Sequence, residues 1–560
     1  MSRMDIRWRL REALENALRD VGLDMPLIHI PTLEHPAELA HGDYSSNVGL
    51  QYAKDAKASP STLAAKLVAA FGAIEGISKI EIAGPGFINF YLAPETIAAS
   101  IEQARSDEKW GSNIALKDIR IMVEYTDPNP FKEFHIGHLM SNAIGESISR
   151  LLEYSGADVK RANYQGDVGP HVAKAIWGIR KLNADPHDPS QLGRAYAIGA
   201  QAYENDPAAE ADVDAINAKV YDRSDTAINE LYAAGRAASL EHFEELYRTL
   251  GTRFDRYFFE SETGPRGIAL VQAHPEVFEK SDGAIVYKGE KAGLHTRVFV
   301  TSKGLPTYEA KELGLAELKL EAWPADESIT VTAHEQSDYF AVVVAAMKEF
   351  MPDVAKHIHH VPHGMMRFAS GKMSSRTGDV ITGESLLNEL QATAKERAAE
   401  SRADDIGKLS EQIAVAAIKY QVLRQASHKD IIFDRERALS LEGDSGPYLQ
   451  YAHARACAVA AKAQEQSVEP RASGGVEPSH LARLIQRFPE IVEYSASELE
   501  PHLVTTYLLE IASAFNSWYA QEQIVDGTPA AAHKVALTEA VRRTLKNGLW
   551  VLGIPAPEKM

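Results

Sequence analysis

Residues 119–164 read IRIMVEYTDPNPFKEFHIGHLMSNAIGESISRLLEYSGADVKRANY, and the order of signals within them decides the fold. Ile119 to Tyr125 has the β-branched and apolar character of a strand, and a loop broken by Pro128 and Pro130 follows it. Leu139, Ala143, Ile144, Ile148, Leu151 and Leu152 then recur at helical spacing until Gly156 closes the helix. Val159 to Tyr164 reads as a second strand. Strand, loop, helix and strand at this spacing form a βαβ unit, the opening of a doubly wound parallel sheet, so an α/β fold is expected.

Outward from this unit the pattern changes twice. Residues 1 to about 112 alternate helical stripes with short strands, and Lys79–Ala83, the turn Gly84-Pro85-Gly86 and Phe87–Leu92 predict a small α/β module. Residues from about 184 to 290 are rich in Ala, Glu and Leu and predict a helical insertion between the halves of the sheet. Strand signals return at Gly283–Tyr287, Arg297–Thr301 and Ile329–Thr332; beyond about residue 400 the pattern is helical, interrupted by a loop over Ser467–Ser479. Three domains are expected, over 1–112, 113–400 and 401–560.

A chain of 560 residues exceeds one ordinary core, which agrees with that division. The single cysteine, Cys457, excludes an intramolecular disulfide framework and any site needing several thiolates, and fits a reducing cytoplasm. No apolar run approaches the roughly 18 residues of a membrane span. Ile6, Leu10, Leu14 and Leu18 form a stripe near four arginines, but Glu12, Glu15 and Asp20 favour a domain helix over a transit peptide. The net charge of −19 is not that of an overall basic nucleic-acid binder, although basic residues can still gather on one face.

Two motifs carry chemistry. His135-Ile136-Gly137-His138 falls where the loop becomes a helix, a place of free backbone N–H groups and positive dipole. Gly137 lets a base or ribose approach the backbone. Four residues by themselves do not separate a phosphate site from two surface histidines, and zinc would need ligands beyond Glu133. Gly371-Lys372-Met373-Ser374-Ser375-Arg376-Thr377-Gly378, far downstream, offers two cations and hydroxyls in a polar loop suited to a leaving pyrophosphate. The two motifs together are specific where each alone is not.

With these residues the sequence resembles class I aminoacyl-tRNA synthetases, the arginyl family in particular, over nearly its whole length. The resemblance is carried by Val123–Lys132, the histidine motif, Asn163–Gly169, Pro306–Glu312, the Gly84–Phe90 turn and Gly443–Arg455. It implies a Rossmann-type catalytic domain with a parallel sheet, an amino-terminal α/β domain and an all-α anticodon-binding domain. It also implies activation of L-arginine by ATP, with Mg²⁺ accompanying the nucleotide, and transfer to the 2′-hydroxyl of tRNA(Arg), with tRNA needed even for the first step. By resemblance Glu124 and Glu312 hold the guanidinium with Tyr308 alongside, while Asn129 and Gln336 position the α-amino and carboxylate ends. Lys132, His135, His138, Lys372 and Arg376 meet the phosphates, and Gly137, Met373 and Ser374 complete the ATP site. No resident metal is expected, and the chain is expected to act as a cytoplasmic monomer.

The departures are informative. Ser375 stands where many class I enzymes have a second lysine, which throws weight on Lys132. Met140, Val168 and Glu312 replace a common arginine, tryptophan and aspartate. Tyr448, Tyr451, Trp518 and Tyr519 are candidates for stacking on anticodon bases, with at least half expected in the core instead. His357, His359, His360 and His363 are expected to be structural rather than metal ligands. Competing readings are a class I synthetase for another amino acid, a synthetase-derived binding protein and a non-tRNA nucleotidyltransferase. The single cysteine opposes the cysteinyl enzyme and the chain length opposes the large-editing-domain enzymes, while the intact histidine and lysine positions oppose a non-catalytic descendant and the long helical carboxyl-terminal region a nucleotidyltransferase.

Overall fold

Five parallel strands organise the larger of two compact units in the computed structural model, which describes residues 6–23, 32–369, 381–398, 401 and 403–560. They are β1 (Arg120–Glu124), β2 (Asp158–Gln165), β3 (Arg256–Phe259), β4 (Glu327–Ala333) and β5 (Ile358–His363), in the spatial order β5-β4-β1-β2-β3. The chain builds outward from β1 through β2 to β3, then reverses and lays β4 on the other side of β1. Carboxyl ends of strands flanking such a switch point diverge and leave a crevice.

The first crossover is α1 (Ile136–Tyr154), whose His138–Leu152 stretch is almost wholly buried. β1 is buried from Ile121 to Glu124, as a central parallel strand covered on both faces should be. Alternation along β1 then decides orientation. Met122 packs with Ala162, Phe258 and Leu315, the last from α2 (Tyr308–Ala322), so Glu124 shares the side that faces α2. Tyr125 turns the other way, onto α1 at Gly145, where a Cβ would lie 2.2 Å from the tyrosine ring. Only glycine lets that ring sit against the helix.

The expected helical insertion is shorter than its pattern. Helices run from Pro170 to Thr249 around a core that includes Phe131, Val172, Ile176 and Tyr232, and then the chain re-enters the main sheet at β3. Four residues of strand are too few to register against the surrounding helical periodicity. The 279–281, 284–287 and 297–300 strands form their own antiparallel sheet.

The second unit is assembled from residues 1–115, 452–493 and 510–547. Its antiparallel sheet places Phe87–Leu92 between Tyr44–Ser46 and Ile77–Ala83. Asp43 pairs with Arg483, and Tyr44 donates its hydroxyl proton to Glu490. Gln486 donates to the Tyr44 hydroxyl at 3.0 Å, and His35 lies 3.2 Å from Glu490. Residues from both ends of the sequence thus close one core. No described helix is long and apolar enough to cross a membrane.

Candidate active site

A cleft opens at the carboxyl ends of β1 and β4, where the strand order reverses. Glu124, Asn129, His135, Gly137, His138, Tyr308, Glu312 and Gln336 all line it, although 212 residues separate the first from the last (336 − 124). Lys132 does not: its ammonium lies 5.1 Å from the ring centre of Tyr196. Lys372, Met373, Ser374 and Arg376 lie outside the described residues. Thr382, which follows that stretch, forms a bridge with His135, and the Gly383 N–H donates to the Phe134 carbonyl at 2.7 Å.

At one end of the cleft the amino terminus of α1 presents its histidines. The two imidazoles stack with centroids 3.4 Å apart, and the His135 backbone N–H donates to His138 Nδ1 at 3.1 Å. Accepting at Nδ1 leaves His138 with its proton on Nε2. Lost solvation, then Lys132 and His363, push His135 down to about 4. His138 is held well below its ordinary value for the same first reason, with His135 next. Near neutral pH this end therefore offers uncharged N–H donors at a helix terminus.

The loop between β1 and α1 is strained. Thr126, Asp127 and Phe131 occupy the left-handed region at φ 79°, 48° and 68°, where a non-glycine residue costs about 1–3 kcal/mol. The surroundings impose it: the Thr126 N–H donates to Ser141 Oγ, Asn142 Nδ2 donates to Thr126 Oγ1 and the Phe131 N–H donates to Ser239 Oγ. Asp127 and Asn129 are thereby aimed at β2, where they accept from the N–H groups of Tyr164 at 2.7 Å and Gly166 at 3.1 Å.

The other end is acidic. Glu124, 2% exposed, meets Asp127 and Glu312 around one recess, and Lys319 Nζ lies 2.8 Å from Glu124 Oε2. Burial and then Glu124 raise the carboxyl of Glu312 to about 8, and the same two causes raise Asp127 well above the carboxylate range. The Tyr339 hydroxyl donates to Glu312 at 3.3 Å and also lies 3.3 Å from Gln336 Oε1. Beside this cluster, Glu260 is tied to Lys311 at 2.5 Å. Such a recess is built for a cation with several donors.

Sequence reasoning passed over Asp127, Tyr164, Glu260, Lys319, Tyr339 and His363, all at or beside this cleft. Lys319 was findable, because it lies seven residues after Glu312 and so two helical turns along the same face. His363 was set aside with its neighbours. His357 and His359 both meet Glu327, and His360 stacks on Phe340, so those three are structural. His363 instead lines the cleft, with Nδ1 2.7 Å from the Gly364 carbonyl. The aromatic expectation also changes: Tyr448, Tyr451 and Trp518 are half-buried and Tyr519 is exposed, so none is fully buried in the core.

The model for the catalytic domain of class I tRNA synthetases of the arginyl type matches residues 101–435. The chain belongs to the arginyl-tRNA synthetase family. The arginyl-tRNA synthetase amino-terminal domain matches 8–92 and the DALR anticodon-binding domain 449–560. An arginine–tRNA ligase of Treponema denticola is 30% identical, with 94% of each chain covered, and one of Clostridium perfringens is 30% identical over 96% of this chain and 98% of its own. The Thermus thermophilus arginyl-tRNA synthetase structure superposes with a TM-score of 0.82 at 25% identity, covering 99% of this chain and all of the other. For an arginyl-tRNA synthetase the unusual Met140 and Val168 are accommodated without exposure, at 1% and 2%.

Proposed function

We propose that this cleft binds L-arginine and ATP, forms arginyl-adenylate with release of pyrophosphate, and passes arginine to the end of tRNA(Arg). The observation that carries the reading is the pairing of a recessed carboxyl cluster, Glu124, Asp127 and Glu312, with the helix terminus at His135–His138 across one cleft. The guanidinium fits between Glu124 and Glu312, where its planar fork finds acceptors on both sides. Tyr308, two-thirds exposed, covers the side chain, and Asn129 and Gln336 take the α-amino and carboxylate ends.

The nucleophile is already an ionised carboxylate, so chemistry rests on alignment and on stabilising charge on the phosphates. His138 Nε2–H and the α1 N-terminus face that charge, with His135 and Gly137 beside them. Lys132 joins them by leaving the Tyr196 ring, and Lys372 and Arg376, with Met373 and Ser374, act on the nucleotide from the downstream motif. Mg²⁺ would accompany the nucleotide and supply countercharge to its phosphates. The stretches 1–112, 113–400 and 401–560 divide the labour as tRNA contact, catalysis and anticodon binding, in a monomer working in the cytoplasm.

The test is ATP–pyrophosphate exchange measured with each amino acid, with and without total tRNA. Exchange with arginine alone, appearing only when tRNA is added, is the expected result. Exchange with a different amino acid, or with none, would overturn the reading.

A further inference from the structure

The acidic recess is not empty of cations before substrate arrives. Lys319 Nζ stands 2.8 Å from Glu124 Oε2, with its side chain 11% exposed. It reaches that oxygen from behind. Lys319 lines a mainly apolar cavity on the far side of Glu312, with Leu315, Trp323, Val343 and Met347, and does not line the cleft itself. Glu312 and Phe340 line both spaces and form the wall between them.

This arrangement sets what an incoming side chain meets. We propose that Lys319 is a specificity-determining positioning residue: it pins one oxygen of Glu124 from behind, leaving acceptors that a planar forked cation can bridge and a second ammonium cannot. The inference rests on the assignment of arginine to this recess. With Glu124 already paired, an arriving cation draws its counter-charge from Glu312, which must release a proton to supply it. A guanidinium spreads its charge and donates to Glu124 and Glu312 together. A lysine ammonium concentrates its charge beside the resident ammonium and leaves carboxyl oxygens unmatched.

The groups facing Glu312 are Glu124 from β1, Asp127 from the following loop, Tyr164 from β2, Glu260 held by Lys311, Tyr339, and Lys319 from its own helix. Of these Lys319 is the cation that favours the ionised form of Glu312. Removing it leaves the proton on Glu312 more firmly held.

Lys319→Met suits the apolar cavity, and K319Q, measured beside it, controls for packing. Both are assayed as the full chain in tRNA-dependent exchange with arginine and with lysine from pH 6.5 to 9. In both variants the arginine KM should rise about tenfold with kcat changed less than about threefold. The pH at which arginine kcat/KM levels off should move up by about one unit, and the lysine-to-arginine ratio should rise by about tenfold or more. K319R, which keeps the charge, should recover most of each loss. Unchanged values in both variants overturn the proposal, as does a higher KM with unmoved pH profile and lysine ratio, which is packing damage. Absence of arginine exchange in the unaltered protein would instead overturn the arginine assignment itself.

Discussion

The two ends of the cleft handle charge in opposite ways. At the α1 terminus, titratable groups are stripped of charge: His135 and His138 are held neutral, and what remains is oriented N–H donors. At the far end carboxyls are crowded until at least one keeps its proton near neutrality, with a single lysine against them. A nucleotide brings negative charge and needs preorganised donors, whereas a guanidinium brings positive charge and needs acceptors that ionise on demand. On the proposed assignment of substrates, the contrast puts proton release at the amino-acid end and none at the phosphate end.

Glu124→Gln breaks the acidic end outright. It removes one charged acceptor and strands Lys319, so arginine kcat/KM in tRNA-dependent exchange should fall roughly 10³-fold, while the ATP KM changes little. His138→Ala attacks the opposite end. Loss of one oriented donor should lower kcat on the order of 10²-fold with the arginine KM nearly constant, and an equal effect on both parameters would erase the distinction between the ends.

The pH dependence sharpens the comparison further. On the proposed assignment Glu312 ionises as arginine binds, and burial beside Glu124 raises its carboxyl to about 8, so the arginine KM should fall about 25-fold between pH 6.5 and 8.5. The ATP KM should stay flat over that range, because lost solvation holds His135 down at about 4, well below it. Gly145→Ala forces the Tyr125 ring aside and should cost about 1–3 kcal/mol in urea unfolding. Because Tyr125 follows Glu124, its arginine KM should rise as well. The smallest effect concerns stability without ligand. Burial raises Glu312 above its unfolded value, so its favourable contribution is complete below about 4.5 and is lost as pH rises through about 8. Thermal unfolding with and without arginine should therefore show protection that grows with pH.

Much of this was legible in residues 119–164, because strand and helix periods there are long and cleanly punctuated. β3 was not legible, being four residues after four helices, and its pairing with β2 is a long-range event without a local sign. That Glu124 and Glu312 line one cleft agrees with the pairing the resemblance implied. Asp127 carries no local signal, since a loop aspartate most often faces water; the seven-residue spacing puts Lys319 on the face of Glu312, but its contact with Glu124 is a matter of packing. The exposure of Tyr519 was unreadable for the converse reason: aromatics on helices usually go to the core.

The closing of one core by both ends of the chain bears on how the protein is made. Asp43 and Tyr44 leave the ribosome early, yet Arg483, Gln486 and Glu490, which satisfy them, emerge some 440 residues later. At roughly 5–20 residues per second that interval is about 20 to 90 seconds. During it Asp43 and Tyr44 face water in place of their later partners, while the 116–451 stretch has time to complete its parallel sheet. The unit that begins with the amino-terminal sheet therefore reaches its final form only after residues 452–547 have been made.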